Sequence, residues 1–81
     1  MDTAQEVTVP TLTPVESSMI KAIGYDAATC TLWVQFNRGQ IYSYTDVPLE
    51  VHQALMAAES HGKYFHKHIR GEYAYARRDK P

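Results

Sequence analysis

The sequence predicts an α+β domain: a three-stranded antiparallel β-meander followed by two short helices packed on one face. Three observations carry this. "TLWVQF" and "QIYSY" alternate with period two around an Asn-Arg-Gly break. "TDVPLEVHQALMAAES" and "SHGKYFHKHIRG" repeat their apolar residues at helical spacing. The 81 residues suffice for one small domain.

Residues 1–14 hold Pro10, Pro14 and four threonines without a period, and are read as a flexible tail. "SSMIKAIGYD" is the first strand, with Ile20 and Ala22 alternating against Met19, Lys21, Ile23 and Tyr25; Gly24 and Asp26 end it. "DAATC" connects. In "TLWVQF" Leu32, Val34 and Phe36 point one way, and Thr31, Trp33 and Gln35 the other. Gly39 in the left-handed region closes a three-residue loop, Asn37-Arg38-Gly39. Tyr42 then faces Val34, Tyr44 faces Leu32, and five large side chains gather on one face. A two-residue loop would turn both tyrosines over to the side of Gln35 and Trp33. The longer loop therefore makes Tyr42 and Tyr44 mainly structural.

In the first helix, Thr45 or Asp46 caps the start and Pro48 fits the first turn, where its missing N–H costs nothing. Val51, Leu55 and Ala58 make the inner stripe, with Met56 beside them. Ser60 caps the second helix and Gly71 stops it. Tyr64, Phe65, His68 and Ile69 form its apolar arc; Lys63, Lys67 and Arg70 form the opposite arc. "EYAYARRDKP" reads as a basic, fraying tail. The domain thus spans residues 15–73, with tails at 1–14 and 74–81.

These pieces, in this order and at close spacing, resemble the KTSC domain. This small bacterial domain occurs at the C-terminus of some lysyl-tRNA synthetases and also as a stand-alone protein. The resemblance covers roughly residues 15–73, and the family's Tyr-x-Tyr motif matches Tyr42-Ser43-Tyr44. It implies no established activity; RNA binding is what attachment to a synthetase suggests, by analogy.

Composition narrows the function. Cys30 is the only cysteine and cannot form an internal disulfide, which fits a reducing compartment. No apolar run spans a membrane and the first residues lack a secretory pattern, so a cytoplasmic protein is expected. Charge is uneven under a net −1: residues 1–60 carry two cations against seven acids, and residues 61–81 carry six against two. Such an end can meet a polyanion.

Four histidines invite a metal, but His66 and His68 are two apart on a helix, His61 and His66 are five apart, and Cys30 lies on another element. They do not converge as zinc ligands must. Nothing resembling a nucleophile elbow surrounds Cys30, no glycine-rich loop could cradle a phosphate, and no carboxylate pair is placed for acid–base work. The sequence therefore points to a small non-enzymatic binding module without a cofactor. Trp33, on the face opposite the core set, would serve a protein partner or a second copy. The alternative is weak, largely sequence-independent binding of RNA or another single strand. In that reading Lys63, Lys67, Arg70, Arg77 and Arg78, extended by Lys80, hold phosphates while Trp33 stacks a base. Against nucleic acid stands a pI near 6.4.

Overall fold

The computed structural model describes residues 11–78. Along the chain run β1 (Thr13–Pro14), β2 (Ile20–Asp26), β3 (Thr31–Phe36), β4 (Ile41–Tyr44), α1 (Leu49–Ala57), α2 (His61–His68) and β5 (Tyr75–Arg77). The strands form one antiparallel sheet in the order β1-β2-β3-β4-β5.

The hairpin sets the register. Gly39, at φ +96°, takes the left-handed position. Its N–H donates to the Phe36 carbonyl (2.8 Å), and the Phe36 N–H donates to the Gln40 carbonyl (2.8 Å). The loop therefore has three residues, and Val34 pairs with Tyr42 and Leu32 with Tyr44 as expected. Tyr44 is buried and Tyr42 half-buried, both packed on the helix side.

The sheet has five strands, which corrects the three-stranded meander. Its outer strands come from residues 13–14 and 75–77, segments read as tails. Strands of two and three residues are too short to display a period, and their partners rather than their composition make them strands. Pro14, with no N–H to give, sits where sheets tolerate proline, on an edge. The rest of the expected N-terminal tail, residues 1–10, and Lys80 lie outside the described residues.

β2 departs from simple alternation. Ile20 pairs with Phe36, yet Ala22 pairs with Gln35, so Lys21 is an extra residue in a bulge. The bulge turns Ile20 and Ile23 onto the same face, where both are buried. Strand entry is tied down by Ser17, whose Oγ accepts from the N–H groups of Met19 (3.1 Å) and Ile20 (3.2 Å). Asn37 in the hairpin loop reaches back, its N–H donating to the Met19 carbonyl (2.9 Å) and its Nδ2 to that of Ser17 (3.1 Å).

α1 begins later than expected. Pro48 is its N-cap, no side chain caps it, and Asp46 sits at φ +59°. A residue before proline is driven out of helical backbone, so Val47 cannot join the helix. It plugs the core instead, fully buried, its N–H donating to the Cys30 carbonyl (2.8 Å). Ser60 caps α2 as expected, accepting from the Lys63 N–H (3.2 Å). His68, placed on the apolar arc, is instead exposed; its ring lies over Tyr64, centroids 4.4 Å apart. The core joins Ile20, Ile23, Leu32, Val34 and Tyr44 of the sheet to Val47, Leu55, Phe65 and Ile69.

Tyr44→Ala is expected to destabilise the domain by about 3 kcal/mol, the usual cost of deleting a large buried aromatic, and Tyr44→Phe by much less. Chemical denaturation of the three proteins checks this; an unchanged midpoint for Tyr44→Ala would contradict the register.

Candidate functional site

β4 alternates, so Tyr42 and Tyr44 both face α2. β5 lies beside it with Tyr75 opposite Tyr44 and Arg77 opposite Tyr42. The rings pack closely. Phe65 of α2 meets Tyr44 and Phe36 edge-on, each at 5.4 Å between centroids. Tyr75 lies 5.6 Å from Tyr42 and 5.9 Å from Tyr44. Between these rings and the C-terminal end of α2 opens a cleft of about 340 Å³, with Gln40, His66 and Arg70 among its lining residues. Tyr75 is 65% exposed.

Electrostatically the cleft is graded. Burial pushes the Tyr44 hydroxyl up to about 12; the neighbouring Tyr42 and Tyr75 hydroxyls add to the rise, and the Arg70 guanidinium opposes it. Arg70 also donates from Nη1 to Nδ1 of His66 (3.3 Å), since a guanidinium can only donate. One end of an aromatic hollow thus carries a fixed cation. A second groove, about 450 Å³, continues from it across Met19 and His66 to Lys63 and Lys67. Lys63, Lys67 and Arg70 are all exposed.

Trp33 stands elsewhere. It is on the opposite sheet face, paired with Gly24 and Ser43, and only 3% exposed. The Arg78 guanidinium lies over its ring at 5.7 Å, and Arg78 Nε donates to Ser43 Oγ (2.9 Å). The expected stacking platform is therefore covered. Arg78, expected to reach a phosphate, is occupied by Trp33 and Ser43. The reason is the alternation of β5: Tyr75 and Arg77 share the cleft side, and Ala76, opposite Ser43, shares the other with Arg78. The structure brings Tyr42, Tyr44 and Arg70 into one cleft, sets Lys63 and Lys67 on the adjoining groove and Arg77 opposite Tyr42 on β5, and leaves Trp33 and Arg78 behind the sheet. Tyr75, Phe36, Phe65, His66 and Gln40 were not expected at the site. The alternation in "YAYAR" is too short to set β5 apart from a tail.

Cys30 is exposed at the β2–β3 turn with φ +55°. His52 is stacked on Tyr25, centroids 4.9 Å apart, and burial pushes its imidazole down. Among the described residues no group of three or more His, Cys, Asp or Glu side chains could hold a metal ion, and no helix is long and apolar enough to cross a membrane.

Residues 16–73 match the sequence model of the KTSC domain. The chain belongs to the KTSC domain family. A crystal structure of a KTSC domain protein from Yersinia pestis superposes with a TM-score of 0.80 at 38% identity, covering 84% of this chain and 96% of that one. A lysine–tRNA ligase of Nostoc is 46% identical over 69 residues, which is 85% of this chain but 12% of the ligase. A protein of Stutzerimonas stutzeri, described as uncharacterized, is 39% identical over 66 residues, 80% of this chain and 93% of its own length. The KTSC unit thus occurs within a much longer protein and as nearly the whole of a short one.

Two outcomes follow from the geometry of this KTSC domain. The Tyr44 hydroxyl ionises above the 10 of an unfolded tyrosine, so its share of stability persists up to about pH 10 and is lost as pH rises towards 12. A tyrosinate absorbance titration should show Tyr44 ionising late and lose that component in Tyr44→Phe, while Tyr25, whose hydroxyl burial also pushes up, still ionises late in both proteins. Separately, Arg78→Ala should loosen β5. Hydrogen exchange at the residue-78 amide, bonded to the Ile41 carbonyl at 2.6 Å, should quicken while α2 amides keep their protection.

Proposed function

We propose that this KTSC domain is a small, non-catalytic, cytoplasmic module that binds single-stranded RNA weakly and with little sequence preference through α2. One observation carries the reading: the exposed cationic arc of Lys63, Lys67 and Arg70 runs into an aromatic cleft on the same side of the molecule. Lys63 and Lys67 stand one turn apart on α2 and Arg70 follows just past its C-cap, Ile69, so the three can follow one phosphate track. Half-exposed rings next to such a track are how proteins hold single strands without reading them. Relatives named as lysine–tRNA ligases supply a context of RNA chemistry; the chain spans 12% of the Nostoc ligase, and the ligase activity is not carried over. Docking of a protein partner or of a second copy through Trp33 loses its support, because that ring is covered.

Magnitudes point to modest affinity. Three phosphate contacts give a salt slope of about −2 on a single strand. The whole chain carries net −1, so no long-range field gathers the ligand. Binding of micromolar strength or weaker is expected, with cleft contacts adding to it.

Titration with RNA and DNA oligonucleotides at two salt concentrations tests the reading. The parent should be retained on single strands in a salt-sensitive manner. Replacing Lys63, Lys67 and Arg70 together by glutamine should abolish retention and flatten the slope while the fold survives, since all three are exposed. Undiminished binding by the triple variant would sink the proposal. A salt-insensitive dimer that ignores RNA would replace it with self-association.

A further inference from the structure

We infer that the cleft between β4, β5 and the end of α2 is a one-nucleotide pocket: it takes a single unstacked base against Tyr75, with the phosphate of that nucleotide on Arg70. This deepens the single-strand reading and rests on it for the rest of the ligand.

Size is the first argument. About 340 Å³ lies at the low end of the roughly 300–1,000 Å³ that small-molecule sites occupy, which suits one nucleotide and not a folded element of a partner. The chemistry of the walls is the second. Phe36, Tyr42, Tyr44, Phe65 and Tyr75 present ring surface, while Gln40 offers an amide that both donates and accepts. A planar heterocycle with a polar edge matches that combination.

Charge is the third argument. An aromatic hollow can also serve a quaternary ammonium group. Here Arg70 stands at its end and is not neutralised by its contact, since its partner His66 is itself no anion. A cation is therefore repelled and an anion drawn in. An aromatic ring joined to an anion is the ligand class that satisfies both features.

The rings also define the pose. Tyr42 and Tyr75 have centroids 5.6 Å apart, already in contact, so no base slides between them. The base must lie on the exposed side of Tyr75, its edge turned to Gln40 and its phosphate to Arg70. The strand then continues over Met19 and His66 to Lys67 and Lys63, where the second groove lies. A base within a duplex is stacked and paired and cannot enter without being flipped out, so duplexes should be excluded.

Amide shifts of the full chain, followed by NMR, test this with nucleoside monophosphates, inorganic phosphate, a short single-stranded RNA and its duplex. Nucleoside monophosphates should move the signals of Gln40, Arg70, Gly71 and Tyr75; inorganic phosphate should move Arg70 and leave Gln40 and Tyr75. Tyr75→Ala should weaken the single strand about tenfold, within the range for losing one stacked base, and Tyr75→Phe should restore it. Tyr75 is exposed enough for both variants to fold, which their melting midpoints verify. Lys63→Gln with Lys67→Gln should weaken the oligonucleotide and leave the mononucleotides unaffected.

If the single strand binds but Tyr75→Ala matches the parent and mononucleotides move only Lys63 and Lys67, the pocket is refuted while the RNA reading stands. Duplex binding as tight as single-strand binding also refutes the pocket. Mononucleotides that enter the cleft without any oligonucleotide retention uphold the pocket and overturn the RNA reading. No response to either ligand overturns both.

Discussion

The register of the β3–β4 hairpin is the constraint on which the other parts depend. A side-chain period of two leaves no intermediate: one residue more or fewer in the Asn37-Arg38-Gly39 loop would carry Tyr42 and Tyr44 to the face of Trp33. Gly39 settles the matter at φ +96°, backbone that a residue with a side chain enters only at a cost. With that turn fixed, Tyr44 meets Phe65 and gives α2 its seat. The seat fixes where Arg70 and His66 stand, and their position fixes the cleft. The Lys21 bulge makes the matching adjustment in β2, so that Ile20 and Ile23 join the same core.

A chain of this size has little interior to spend, and its aromatic residues show how it manages. A small domain buries a lower share of its surface than a large one. Phe65 and Tyr44 therefore serve the core with one side and the cleft with the other. Tyr75 has no core role, yet it is held in place from behind. Arg78, three residues on, crosses to the opposite face, lies over Trp33 and donates to the buried Ser43 hydroxyl. Arg78 thus acts as a latch: bonds on one face of the sheet fix a ring on the other. Thr45, whose N–H donates to the Ala74 carbonyl (3.0 Å), pins the same strand at its start.

What could be read from the sequence was whatever repeats locally. The hairpin register, the α2 cap at Ser60 and the burial of Phe65 and Ile69 against the exposure of Lys63 and Lys67 each follow from periodicity or from one residue's chemistry, whereas His68, read onto the apolar arc, is exposed. The order and spacing of the segments carried the family. The outer strands were illegible because two or three residues display no period, and pairing with β2 and β4 is a tertiary fact. Trp33 was assigned to the correct face, but the cover over it comes from Arg78, far along the chain. The helix start was misread because Thr45 and Asp46 are good caps in isolation, whereas Pro48 and the burial of Val47 decide the backbone there. The cleft itself was invisible: it needs Tyr75 on a strand that the sequence reads as a tail.

The placement of the cleft follows from how α2 is attached. Its buried anchors, Phe65 and Ile69, stand one turn apart, so one face of the helix is committed to the core. His66 comes one residue after Phe65, about 100° around the axis, and Arg70 follows Ile69 just past the helix end; both line the seam between helix and sheet. Lys63 and Lys67 lie further round, in open solvent. A ligand lying along this helix would pass from exposed charge to a sheltered aromatic hollow within about two turns. The residues that form the floor of that hollow also hold the helix down. Changes at Phe65 or Tyr44 would therefore confound stability with binding, whereas Tyr75, Arg70, Lys63 and Lys67 belong to the rim alone. The physics of a small core thus separates the residues that report on function from those that report on folding.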